Sequence, residues 1–142
     1  MVVKKYKKLL VALDGSKNSL RALNKAIDLA KLLNSAITGI FVIQAFPTEM
    51  GVVRTVIGKA LSKKSKNFMS IAKAKCKKNN VEFFDFIEYG DEGQTIVSFA
   101  EKNHYDMIVI GSRGMGIIKE TFLGSTSSHV VHATKIPVLV VK

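Results

Sequence analysis

A chain of 142 residues with a hydrophobic fraction of 47% and a formal net charge of +11 has the length of one ordinary domain, enough to bury a core without disulfides or a structural metal. Its longest apolar runs, such as Met107 to Ile110 and Val138 to Val141, fall far short of the roughly 20 residues that span a bilayer. The lone cysteine, Cys76, excludes an intrachain disulfide and a cysteine metal cluster.

In chain order, the N-terminal lysines precede an apolar run too short for a signal peptide, and Asp14 ends it without a small-residue cleavage site. The run at residues 7–13 is therefore expected to be a strand, in a single cytoplasmic domain covering residues 1–142 and having no membrane segment. Asp14, Gly15 and Ser16 combine a turn with a helix N-cap. From Lys17 to Leu33, apolar Leu20, Leu23, Ile27, Ala30 and Leu33 recur at helical spacing. Residues 35–46 are β-branched and aromatic, and Pro47 closes this second strand. Residues 48–58 carry Gly51 and Gly58 with no clear period and predict an irregular connection, followed by a basic helix at about residues 59–79.

Residues 81–90 form a third strand, and its acids Glu82, Asp85 and Glu88 assign it to a sheet edge. A short helix with Ile96, Val97, Phe99 and Ala100 follows, and His104 to Asp106 belong to the loop that enters the next strand. Met107 to Gly111 is almost wholly apolar, the mark of a central parallel strand covered on both faces. After a glycine loop, residues 125–135 read as a helix and 137–142 as a last strand. Five strands alternating with four helices predict a doubly wound α/β sandwich around a parallel sheet.

The charge is concentrated. Residues 50–81 hold eight lysines and Arg54, with no Asp or Glu. One arginine and one aromatic, Phe68, are a poor base-reading or stacking set. A solvated helix face is favoured, and a sequence-independent nucleic-acid footprint over residues 54–78 is the minority alternative. The lysines around Cys76 predict an exposed, incidental helix cysteine. His129 and His132 lack a nearby Cys, Asp or Glu and read as solvated helix residues, with no metal site.

In an open parallel sheet, ligands bind beyond the carboxyl ends of strands where the chain order reverses. Asp14 ends the first strand and Gly111 the fourth. Gly111, Gly114 and Gly116 let backbone N-H groups approach an anion, and Gly124 leads into Ser125, Thr126, Ser127 and Ser128 at a helix N-terminus. Donors, helix dipole and hydroxyls there suit a phosphate, although tight turns and caps select the same residues. Asp14 has a capping role open to it as well as a ligand role, and Lys119 in the loop is either solvated or within reach of a phosphate.

Gly111, two residues, Gly114, nine residues, then Gly124 and Ser125: this spacing resembles the G-x2-G-x9-G-[ST] pattern of the universal stress protein family, in its nucleotide-binding branch. Residues 9–23 look like the family's opening strand and helix, 106–131 like its signature region, and 135–142 like its closing strand. The resemblance implies a Rossmann-like, five-stranded parallel sheet in the order 3-2-1-4-5. It further implies binding of ATP or another adenine nucleotide, with Mg2+ held through the phosphates. Ala12, Leu13 and Asp14 would line the adenosine and Val42 would contact adenine. Gly111, Arg113, Gly114 and Gly116 would wrap ribose and phosphates, with Gly124, Ser125, Thr126 and Ser127 at the phosphate end.

An apolar closing strand at a sheet edge needs cover. Pairing through residues 138–142 with a second copy supplies it, and the resemblance implies the same homodimer. The expected function is that of a nucleotide-dependent regulator or sensor in stress response. Turnover would need a positioned base and carboxylates for the metal, and no paired carboxylates are evident near the loop, so at most slow hydrolysis is expected. Related adenine-nucleotide hydrolases carry SGGxDS after the first strand, where this chain has LDGSKNS. The alternative from another class is a basic nucleic-acid or protein interaction module that does not bind nucleotide.

Overall fold

The computed structural model describes residues 5–44, 51–114 and 123–142, with backbone alone over 51–59. The elements in order are β1 (Lys8–Ala12), α1 (Lys17–Leu33), β2 (Ala36–Ile43), α2 (Gly51–Lys78), β3 (Phe83–Tyr89), α3 (Glu92–Lys102), β4 (Met107–Gly111), α4 (Ser125–Ala133) and β5 (Val138–Val141). All strand pairs are parallel, and the sheet order is β3-β2-β1-β4-β5. This is the doubly wound α/β architecture expected from the sequence. The order reverses between β1, which pairs with β2 on one side, and β4 on the other.

Alternation along the central strand divides the core. Leu9, Val11 and Leu13 pack with Leu23, Ile27, Met69 and Cys76 on the face covered by α1 and α2. Leu10 and Ala12 pack with Ile40, Ile96, Ile108 and Val130 on the face covered by α3 and α4. Each large aliphatic side chain withdrawn from water contributes about 1.5–3 kcal/mol, so both faces are needed to offset chain entropy. β4 is buried from Ile108 to Gly111, as a central strand must be. In β3 the pattern runs from half-buried to exposed, as expected of an edge.

Polar contacts fix the register. At the amino end of the sheet, Asp106 Oδ2 accepts from the backbone N-H groups of Lys7 and Lys8, both at 2.9 Å. Within the α3 face, the Tyr105 hydroxyl donates to Thr38 Oγ1 at 2.8 Å, which satisfies two buried polar groups together. α1 begins at Ser16, whose side chain accepts from Ser19 N, and ends at Asn34 in the left-handed region.

Two expectations are corrected. Helix α2 runs from Gly51, so residues 51–58 are helical and not an irregular connection; the backbone hydrogen bonds of a long helix override two poor helix formers that cost about 1 kcal/mol each. Cys76 is fully buried. It falls on the stripe of Ser65, Met69 and Ala72, all buried against the sheet, while its neighbouring lysines project outward. Burial pushes its thiol up to about 11, so the thiolate chemistry of a reactive cysteine is suppressed. Gly116, Lys119 and Glu120, the connection at 45–50 and Pro47 lie outside the described residues.

Candidate functional site at the carboxyl ends of strands 1 and 4

The chain leaves β1 through Leu13 and turns at once. Asp14 Oδ1 accepts from the N-H of Ser16 at 2.8 Å, Gly15 takes φ +85°, and Ser16 Oγ accepts from Ser19 N at 3.0 Å. The turn thus satisfies the first donors of α1 with its own side chains. Asp14 Oδ2 is left facing the opposite loop.

The chain leaves β4 through Gly111. A Cβ there would stand 3.0 Å from the backbone of Asn18 in the first turn of α1, so a larger residue would have to push β4 and the start of that helix apart by a few tenths of an ångström. The next residue, Ser112, ties the loop shut at its base. Its N-H donates to Val141 O at 2.8 Å, and its carbonyl accepts from Gly124 N at 2.7 Å and from Ser127 Oγ at 2.9 Å. Entry and exit of the loop are held by one carbonyl. Gly114 then passes so close to Asp14 that a Cβ would lie 2.7 Å from Oδ2.

α4 begins at Gly124 with no side-chain cap. The leading N-H groups of a helix have no intrahelical partner, so this N-terminus presents unsatisfied donors and the positive end of its dipole. A cleft beside it is lined by Ala12, Asp14, Arg113, Gly114, Thr126 and Ser127, with Ser19, Ile110, Gly111, Gly124 and Glu92 completing the wall. Ala12 and Ile110 are the apolar part of the lining and Ser19 and Ser127 are buried with them, while Thr126, Arg113 and the two carboxylates are half-buried.

Most of the residues named from the sequence are therefore neighbours. Leu13 is not among the side chains of the cleft: it is buried on the α1 face, and its N-H donates to Ile40 O at 2.9 Å. Val42 packs against the α3 core. Ser125 lines an adjoining recess with Gln44, Asp91, Glu92 and His129. Gly116 falls outside the described residues. His129 packs its ring on α3, where a Cβ at Gly93 would come within 2.7 Å of Cδ2; among the described residues no three His, Cys, Asp or Glu side chains gather into a metal site.

Four contributors had not been identified. Ser19 and Ile110 complete the cleft, and both follow from period: Ser19 is one helical step from the cap and Ile110 shares the face of Ala12. Lys64 of α2 lies over the first turn, its Nζ 4.0 Å from the position of a Cβ on Gly15. Glu92 had no local signal. It enters from α3 to stand beside Asp14, where burial first and the Asp14 charge second raise its pKa; the bond from Thr126 works in the opposite direction and Asp91 adds to the rise. The paired carboxylates not evident in the sequence are thus present in space.

The model of the universal stress protein family matches residues 5–142. The chain belongs to the universal stress protein family. Relatives within this family include a universal stress protein of Methanocaldococcus jannaschii, 30% identical over 141 residues that cover 96% of this chain and 82% of that protein. Universal stress protein UspA from Lactobacillus plantarum superposes with a TM-score of 0.91 at 23% identity, covering 99% of this chain and all of that one. Two further universal stress protein folds have been solved with nucleotides. One is in complex with cAMP (TM-score 0.71, 24% identity, 98% of each chain). The other, from Archaeoglobus fulgidus, is in complex with dAMP (TM-score 0.71, 20% identity, 98% of this chain and 100% of that one). Among the described residues of this universal stress protein, no helix is long and apolar enough to cross a membrane.

Proposed function

We propose that residues 1–142 act as one universal stress protein domain that binds ATP or another adenine nucleotide, with Mg2+ carried on the phosphates, as a cytoplasmic nucleotide-dependent regulator in stress response. The observation that carries this reading is the meeting of the uncapped α4 N-terminus with the Gly114 backbone and Asp14 at the sheet's reversal point. The donor set fits such a ligand. Helix N-H groups with Ser125, Thr126 and Arg113 suit phosphates, Asp14 suits ribose hydroxyls, and Ala12 with Ile110 offers apolar surface to a base. The nucleotide complexes of two family members support the same ligand class.

Bound Mg2+ would supply charge neutralisation along the phosphate chain. In this reading the chain's own residues bind and orient, and Asp14, engaged with the Ser16 amide through Oδ1, acts in positioning. β5 pairs with β4 on one side only, and its half-buried Val138, Leu139 and Val140 support a homodimer formed through residues 138–142.

Acid extraction of freshly purified protein, followed by chromatography, tests the ligand. Near-stoichiometric adenine nucleotide from the native protein, absent from a Gly114→Val variant, is expected. A native protein that is empty and also fails to bind added ATP with Mg2+ overturns the reading, and nucleic-acid titration at two salt concentrations then tests the basic face of α2. Sedimentation of the native protein and of a Val140→Pro variant tests the dimer, with the variant expected to run as a monomer.

A further inference from the structure

Glu92 stands where a phosphate ligand would least welcome it. Its carboxylate lines the same cleft as Arg113, Gly114 and Ser127, and its Oε2 accepts from Thr126 Oγ1 at 3.3 Å, so a hydroxyl at the α4 N-terminus is already turned toward an acid of this chain. The titratable and charged groups facing it come from every neighbouring element. Asp14 reaches it from the end of β1, Asp91 from the cap of α3, Arg113 from the loop after β4, and His129 from α4 across the adjoining recess. Two of these are carboxylates whose charges disfavour a further negative charge. Among the described residues, the charged lining of the cleft is Arg113 with Asp14 and Glu92, bordered by Asp91 on the recess side and by Lys64 over Gly15.

We propose that Glu92 sets the charge that the phosphate end of this cleft accepts, selecting adenine nucleotides with a single phosphate over free polyphosphate and admitting polyphosphate once a divalent cation has neutralised it. The proposal rests on the adenine-nucleotide reading given above and adds a specificity residue to it. The physical basis is Coulombic. Each additional phosphate charge at several ångströms from a carboxylate in a half-wet cleft is opposed by about 1 kcal/mol, which is about fivefold in affinity, and a triphosphate carries two more charges than a monophosphate. Partial burial lowers the local dielectric and strengthens the repulsion from the ionised carboxylate, while the same burial raises the pH at which Glu92 becomes charged. Thr126 acts as the reporter of the competition, because its hydroxyl donates to only one acceptor at a time.

The test is calorimetric titration of the native protein and Glu92→Gln with adenosine, AMP, ADP and ATP, first in chelator and then with excess Mg2+. Asp85→Asn on the exposed face of β3 is the control for net charge. In chelator the native protein is expected to bind AMP about 25-fold tighter than ATP. Glu92→Gln is expected to raise ATP affinity relative to AMP about 25-fold and leave adenosine unchanged, and Mg2+ to narrow the native ratio far more than that of the variant. An AMP-to-ATP ratio that is the same in both proteins overturns the proposal while leaving the nucleotide reading intact. Folded proteins that bind no adenine nucleotide overturn both. A second measurement needs no ligand: the carboxyl titration of Glu92 followed by NMR is expected to move to lower pH in Asp14→Asn, and an unmoved midpoint would show that the two acids do not share the cleft.

Discussion

Two helices start at the same end of the sheet, on either side of the reversal point, and their first turns are built on opposite plans. α1 is closed by its own sequence: Asp14 takes the Ser16 amide and Ser16 takes the Ser19 amide. α4 starts at a glycine that offers no side chain, and Ser127, three residues on, turns its hydroxyl back to Ser112 O and Gly124 O. A capped helix gains stability from within the chain, whereas an uncapped one keeps donors for something else. The contrast therefore separates a structural first turn from one reserved for a ligand, and it can be broken experimentally.

The largest effect is expected at Gly114, where the α4 side touches the β1 side. Valine there would drive a side chain into Asp14 Oδ2, 2.7 Å from the Cβ position. Adenine-nucleotide affinity should fall at least 100-fold, about 2.7 kcal/mol, by calorimetry. Because residue 114 is exposed, the melting temperature without ligand should stay near that of the native protein. Equal loss of both would make the loop structural and erase the distinction. Next comes Ser127→Ala. It removes a buried hydroxyl that holds the loop exit to Ser112 O, and should cost about 1–3 kcal/mol in urea unfolding. Ser16→Ala should cost about 1 kcal/mol by the same measurement with nucleotide affinity unchanged. Ser125→Ala, at an exposed position in the uncapped turn, should do the reverse and weaken nucleotide binding with stability retained.

How much of this was readable in the chain depended on whether the signal was local. β1 and β4 announce themselves through continuous apolar runs and α1 through helical period, all properties of near neighbours in sequence. The turn at Asp14 and the glycines of the loop are equally local, so one wall of the cleft was visible before the fold was known. Cys76 was legible but misread: its lysine neighbours suggested exposure, while the Met69, Ala72, Cys76 spacing already placed it on the buried stripe of α2. The helical start at Gly51 was obscured by Gly51 and Gly58, which weaken the propensity signal without preventing a helix. Glu92 is different in kind. It meets Asp14 only because the order β3-β2-β1-β4-β5 swings α3 over the end of β1, and no spacing in the sequence encodes that approach.

α3 offers the smallest and most specific test, because its first turn combines the two plans. Asp91 caps it by accepting from Gln94 N at 3.0 Å, yet Glu92 beside it is raised in pKa by burial and by Asp14. A carboxyl with a higher pKa in the folded than in the unfolded chain makes the folded state bind protons more tightly. Its favourable contribution is fully present below the unfolded value, near 4.5, and is lost as pH rises through the folded value. Glu92→Gln is permanently uncharged and escapes that loss. The variant should therefore gain on the native protein in urea unfolding as pH is raised from about 4.5 toward neutrality, with the two curves converging at the acid end. Added Asp14→Asn should shrink the gap, since it removes the second cause of the shift. A gap of the opposite sign would mean that the Thr126 bond to the charged carboxylate outweighs burial, and Glu92 would then belong with Asp91 as a capping acid and not with the open turn of α4.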